Sequence, residues 1–382
     1  MAIYLDHNAT TPLDPRALEA MMPYLTGHHG NPSSAHRFGR LARAAVDSAR
    51  EQVAELVQAH PSQVVFTSGG TEANNFAIKG AAAGAAPGKI ALGATEHPSV
   101  EHSAAALKKN GWQISTLAVD HQGCLRENVL EQALALSPVL VSVMMANNET
   151  GTIQNIAAIS QAVRAAGALM HTDAVQAAGK IEVDFVASGV HMMSLSAHKL
   201  NGPKGVGALI VDKSVDLPPL LHGGGQEKNR RSGTENVAGI VGFGMAASLA
   251  KAQLAEYGAR TGNLRSRLES GLRAIGGIEI FAAEATRLPN TVCFGMPDID
   301  GETLLLNLDR AGFAVSSGSA CASGDPEPSP ILLAMGVDPM LARSSIRVSL
   351  ASGNTEADID LFIAALSTQL SQLRRMAGRA VG

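Results

Sequence analysis

Cysteine is scarce. The 382-residue chain has three, Cys124, Cys293 and Cys321, odd in number, far apart and without a Cys-x-x-Cys pair. That pattern excludes a disulfide framework, a paired-cysteine zinc site and a dithiol redox motif, and a reducing cytoplasm fits it best. An excess of charge is missing too. Lys and Arg number 30 against 34 Asp and Glu, a net charge of -4, which leaves no electrostatic footprint for nucleic acid or an anionic membrane. Long hydrophobic runs are also wanting. Met1 is followed by a polar, strand-like opening instead of a basic stretch and an apolar core, and the uncharged run at residues 236–250 is too short and Gly-rich to cross a bilayer. What these absences leave is a small-molecule ligand.

The length exceeds what one hydrophobic core usually fills, so two domains are expected. Apolar residues make up 46% of the chain and glycine contributes 39, a composition that permits tight turns and close packing of helices on a sheet. Short apolar runs recur at 64–66, 89–92, 139–145, 169–171, 192–195 and 208–211, separated by Ala-rich helical stretches such as 157–166. That alternation predicts a largely parallel sheet covered by helices, the α/β doubly wound class. Near Tyr257 the pattern changes to a polar helix at 260–275, short strands around 278–281 and 291–294, and a last helix from Glu356 to about Met376. The expected division is an N-terminal segment 1–15 packing with the small domain, a large domain 16–256 and a small α+β domain 257–382.

Several segments carry chemistry. Val65-Phe66-Thr67-Ser68-Gly69-Gly70-Thr71-Glu72 reads as a strand, a glycine turn and a helix start, which suits a phosphate at the positive end of a helix. An ordinary helix entry capped by Thr71 is the competing reading. In Ser194-Leu195-Ser196-Ala197-His198-Lys199-Leu200-Asn201-Gly202-Pro203, a lysine follows an apolar strand and precedes a Gly-Pro break. A solvated surface charge is the usual fate of lysine, but this context suits a buried Schiff-base lysine, with Ser196 and His198 beside it to hold a phosphate. Asp173, in His171-Thr172-Asp173-Ala174-Val175-Gln176, ends another apolar strand. It can cap the next helix or, beside such a lysine, face a pyridine nitrogen. His97, in Thr95-Glu96-His97-Pro98, is a loop histidine or a residue stacked on a cofactor ring. Finally, Ser316-Ser317-Gly318-Ser319-Ala320-Cys321-Ala322-Ser323 surrounds one thiol with small polar residues, so Cys321 is expected to be mobile and accessible. Cys124 and Cys293 fit the commoner role of a small buried hydrophobe.

In this order the motifs resemble those of the cysteine desulfurases, members of the class V aminotransferase-like, fold type I pyridoxal phosphate enzymes. The likeness runs from Tyr4-Leu5-Asp6-His7-Asn8-Ala9-Thr10-Thr11-Pro12 to Ser344-Ser345-Ile346-Arg347. It implies a seven-stranded, mostly parallel sheet in the large domain. It also implies roles: Lys199 bonds the cofactor, Asp173 pairs with the pyridine nitrogen, Gln176 meets the ring hydroxyl oxygen and His97 stacks and shuttles protons. Gly70, Thr71, Ser196 and His198 would hold the phosphate, with Thr234 reaching across from a second subunit of a homodimer. Asn148 and Arg347 would bind the substrate carboxylate. Sulfur would leave L-cysteine as a persulfide on Cys321 and pass to an iron-sulfur scaffold protein, Cys321 serving there as a transient, shared ligand to the cluster. The Cys321 segment resembles the long-loop group, and Arg231-Ser232-Gly233-Thr234-Glu235-Asn236 resembles the nitrogen-fixation subtype. Selenocysteine lysis and sulfur delivery for tRNA thiolation are the alternatives. One departure stands out: Ala351-Ser352-Gly353-Asn354 replaces the Gly-Arg pair usual in the family, close to Arg347.

Overall fold

The computed structural model describes residues 2–297, 299–317, 327–376 and 378. Strand β1 (Ile3–Tyr4) opens the chain. The central sheet follows as β2 (Val64–Thr67), β3 (Lys89–Gly93), β4 (Gln113–Leu117), β5 (Leu140–Ser142), β6 (Leu169–Asp173), β7 (Met192–Ser196) and β8 (Gly207–Val211), in the spatial order β2-β8-β7-β6-β5-β3-β4. β8 runs antiparallel to both its neighbours and the other pairings are parallel. The sheet is therefore the mostly parallel, seven-stranded one expected.

The unbroken apolar runs have a simple cause. Successive strand residues point to opposite faces, and here both faces are covered by helices. Leu140 and Met192 pack with Phe76 and Ile90 on one side, while Val141 and Met193 pack with Val46, Met170 and Phe243 on the other. β4 is the strand that the apolar runs did not reveal. It lies at the sheet edge with Gln113, Ser115 and Thr116 exposed, so it needs few apolar residues.

A second sheet contains β9 (Glu279–Ile280), β10 (Thr291–Gly295), β12 (Ser316–Ser317) and β13 (Ile346–Ser349), in the order β12-β13-β10-β9 and wholly antiparallel. β11 (Phe313–Ala314) pairs in parallel with β1. These strands share a core of Leu5, Val292, Phe294, Ile346, Val348 and Phe362. The two cores are joined by one 39-residue helix, Val237–Ile275. The expected break at 256/257 falls inside it. Its first half sends Ile240, Phe243 and Ala247 into the large core and its second half sends Leu264, Leu268 and Leu272 into the small one. Length and hydropathy alone would let this helix cross a membrane, but its apolar side chains are spent on two protein cores.

Candidate active site

The parallel strands end their carboxyl sides around a cavity of about 680 Å³, where ligands of open α/β sheets characteristically bind. Gly70, Thr71, His97, Asn148, Asp173, Gln176, Ser196, His198, Lys199 and Arg347 all line it. Ten residues that the sequence scatters between positions 70 and 347 thus meet around one space.

At one end lies the glycine turn. The helix Gly70–Ala83 is capped by Gly69, with φ of 155° and no side-chain hydrogen bond, so Thr71 sits inside the first turn and is not the cap. The first-turn N–H groups therefore keep no side-chain partner and carry the positive end of the helix dipole. Gly70 must be small, because a Cβ there would come within 2.9 Å of Val175 Cγ2. Ser196 Oγ is buried on the same wall without a hydrogen-bond partner. His198 contacts Thr10 Oγ1 through Nδ1 at 3.2 Å. Burial, helped by Lys199, Lys204 and Lys180, pushes its pKa down to about 4, so it is a neutral imidazole at pH 7.

Asp173 closes β6. Its Oδ2 accepts from Asn74 Nδ2 at 2.7 Å and its Oδ1 from the Val175 N–H at 2.9 Å. Asn74 also donates to Ser99 Oγ at 2.9 Å and leaves its own Oδ1 unpaired and buried. His97 caps the helix Pro98–Ala105, and its Nδ1 accepts the Ser99 N–H at 3.1 Å. In the neutral ring the proton therefore sits on Nε2. Burial lowers the His97 pKa, aided by Lys199 and His102, against the opposing pull of Asp173. Behind this group lies Glu96, buried and accepting from the Met144 N–H and from Ser142 Oγ. Burial and then Asp173 push its pKa up to about 8.

Lys199 ends a single 3₁₀ turn after β7, and its Nζ donates to the carbonyls of Asn8 and Ala9, each at 2.6 Å. Burial lowers its pKa to about 8, with Arg347 adding to the shift and Asp173 and Asp6 opposing it. A lysine so placed holds an appreciable neutral fraction near pH 7, the form that condenses with an aldehyde or accepts a proton.

At the other end stands Arg347, on β13. Its Nη2 pairs with Asp6 Oδ1 at 2.6 Å, its Nη1 donates to the Asn148 carbonyl at 3.3 Å, and its Nε is buried without a partner. The Ala351–Asn354 departure closes neatly beside it. Asn354 Oδ1 accepts the Ala351 N–H at 2.9 Å and its Nδ2 donates to the Tyr4 carbonyl at 3.1 Å, tying that turn to the N-terminal strand.

Thr234 does not line this cavity. It borders a neighbouring one of about 200 Å³ with Ser68, Gly205 and Arg231. Cys321 lies outside the described residues. Cys293 is fully buried, with a thiol pushed well above its usual range by burial, as expected of a core cysteine, and Cys124 is half-buried. Sequence reasoning missed Asp6, Asn8, Asn74, Glu96 and Lys180. Asp6 and Asn8 were in view only as letters of a motif, since their partners lie up to 341 residues away.

The site fits pyridoxal phosphate. A side-chain-free helix start and the unpaired Ser196 hydroxyl suit the phosphate, the Asn74-anchored Asp173 suits a protonated ring nitrogen, and Lys199 suits the aldehyde.

Comparison with known proteins agrees. The model of the aminotransferase class-V family matches residues 3–362. A cysteine desulfurase of Trichormus azollae is 46% identical over 98% of this chain and 94% of its own length. A solved NifS-like protein superposes with a TM-score of 0.92 at 38% identity, covering 98% of this chain and 100% of its own. A structure described as SspA in complex with cysteine gives a TM-score of 0.79 at 30% identity, over 91% of this chain and 98% of its own. The chain belongs to the aminotransferase class-V family and, within it, groups with the cysteine desulfurases.

Proposed function

We propose that the protein is a pyridoxal phosphate-dependent cysteine desulfurase, converting L-cysteine to L-alanine and leaving the sulfur as a persulfide on Cys321. The observation that carries this is the meeting, in one cavity, of Lys199, Asp173, His97 and Arg347. The relatives named cysteine desulfurase and the related SspA solved with cysteine support the substrate.

Gly70, Thr71, Ser196 and His198 would hold the phosphate, Asp173 the ring nitrogen and Gln176 the ring oxygen. When bound, the cofactor supplies an electron-withdrawing ring that stabilises negative charge at the substrate α-carbon. The chain's own groups do the rest. Arg347 grips the substrate carboxylate, a task for which a planar guanidinium is suited, and Asn148 completes the grip. The Lys199 amine, partly neutral near pH 7, takes the α-proton. His97, its Nδ1 committed to the Ser99 N–H, offers Nε2 as a proton donor or acceptor on the cavity side. The Cys321 thiolate attacks the substrate sulfur, forming the S–S bond of the persulfide while the carbon–sulfur bond breaks, and its electron pair returns to the three-carbon fragment that becomes alanine.

The reading extends to setting. We place the protein in the cytoplasm as a homodimer that delivers sulfur to an iron-sulfur scaffold protein, with nitrogenase maturation the favoured branch. Exposed Leu18, Met22 and Leu25 on the helix Pro15–Thr26, with Phe38 and Leu41 on the helix Arg37–Leu56, support a second copy. The deciding experiment incubates the protein with L-cysteine and measures alanine and sulfide, beside Lys199→Ala and Cys321→Ala. Lys199→Ala should lose the yellow colour of the lysine-bound cofactor. Cys321→Ala should keep the colour and transfer no sulfur; sulfide at the normal rate from that variant would refute the role given to Cys321.

A further inference from the structure

Lys180 is 4% exposed, makes no ion pair among the described residues and does not line the cavity. Its Nζ donates to Gln176 Oε1 at 2.5 Å and to Asn8 Oδ1 at 2.8 Å. Gly179, with φ of +78°, brings it there, and any Cβ on that glycine would lie 3.1 Å from both Leu200 Cβ and Ala250 Cβ.

A lysine nitrogen offers hydrogens to such partners, so both atoms it touches must be carbonyl oxygens. That one requirement fixes two amides. Asn8 Nδ2 is thereby aimed at the Asn148 carbonyl (3.0 Å) and Thr291 Oγ1 (2.9 Å), and Gln176 Nε2 at the Asn8 backbone carbonyl (2.9 Å). The same carbonyl receives Lys199 Nζ. Without the Lys180 donor two buried carbonyl oxygens lose a partner, and the Gln176 amide is left with the Asn8 backbone carbonyl alone to hold its orientation.

We propose that Lys180 is a positioning residue of the active site: from behind the cavity wall it orients Gln176 as a donor toward the cofactor's ring oxygen and holds the Asn8 carbonyl beneath Lys199. This rests on the reading of the cavity as a pyridoxal phosphate site. The charged and titratable groups facing Lys180 are Lys199, Arg347, His7 and His198. None is an acid. Burial, with Lys199 and Arg347 adding to the shift, holds the Lys180 pKa well below the usual lysine range, so Lys180 acts here as a hydrogen-bond donor and not as a charge.

The test compares wild type, Lys180→Met and Lys180→Gln, each loaded with pyridoxal phosphate, by the pH midpoint of the visible absorption, cofactor affinity, and kcat and KM for L-cysteine. In Lys180→Met the midpoint should shift by about one pH unit and cofactor affinity should weaken about tenfold. kcat should fall more than KM rises. Lys180→Gln still donates one N–H and should lie between the two. If Lys180→Met does not fold, Lys180→Gln decides alone. Wild-type midpoint and affinity in the folded variants would overturn the proposal, whatever stability they lost. Failure of the wild type itself to develop a visible band with the cofactor would overturn the site reading, and this inference with it.

Discussion

At the end of the cavity where Gly70, Asp173 and Ser196 lie, each group stands on the last residue of a strand or the first turn of a helix of one sheet. At the Arg347 end, the parts come from the N-terminal segment, the turn after β5 and a strand of the small sheet, and they are held by bonds spanning 199 and 341 residues. The first end is organised by the sheet itself, whatever happens elsewhere. The second exists only when three separate parts of the chain close on one another. Recognition of the substrate carboxylate should accordingly be separable from the chemistry at the ring, and four measurements can sharpen or break that separation.

The largest effect is expected at the sheet-built end. Asp173→Asn keeps the bond from the Val175 N–H but removes the charge, and kcat should fall by about 10²–10³ with little change in KM for L-cysteine. A KM rise of that size with kcat preserved would place Asp173 at the substrate instead. Second is the buried carboxyl behind it. Since the pKa of Glu96 is raised from 4.5 to about 8, the folded state gains by keeping it protonated. Its contribution is full below pH 4.5 and should be lost by about 1.4 kcal/mol per pH unit at most as pH rises toward 8. Thermal unfolding from pH 5 to 9 should therefore show a flatter profile for Glu96→Gln than for wild type, and parallel profiles would remove Glu96 from the account.

Third, Arg347→Lys loses the planar fork, and KM should rise about 10- to 100-fold while the visible absorption of the bound cofactor stays unchanged. A shifted absorption band would mean that the two ends are coupled after all. The smallest effect belongs to Asp6→Asn. The amide can still accept from Arg347 Nη2 but no longer repels an incoming carboxylate, so KM should fall about threefold. A rise would show that Asp6 matters through its grip on Arg347 and not through its charge.

The same contrast governs what could be read from the sequence. The sheet-built end was legible because each motif is local: an apolar strand, then the functional residue, then a turn. Thr71 was open to misreading as a cap because a glycine in front of it does that work without a side chain. Lys180 stands in an apolar stretch like any stray lysine, and nothing near it in sequence announces Asn8. The long helix Val237–Ile275 looked like an apolar run and a separate polar helix because its composition changes where it leaves one core for the other. β4 was silent because a solvent-facing edge asks little of its residues.

Asn8 has one more implication, for the order in which the protein is made. Its backbone N–H waits for Ser349 Oγ, its Oδ1 is shared with Asn290, and its Nδ2 needs Thr291. On the ribosome the large sheet can fold while the rest is still being synthesised, so Asn8 meets Gln176, Lys180 and Asn148 first and gains its other partners only when residues 290, 291 and 349 emerge. A nascent chain that has not yet reached β13 thus holds the carbonyl beneath Lys199 by fewer bonds than the finished fold does.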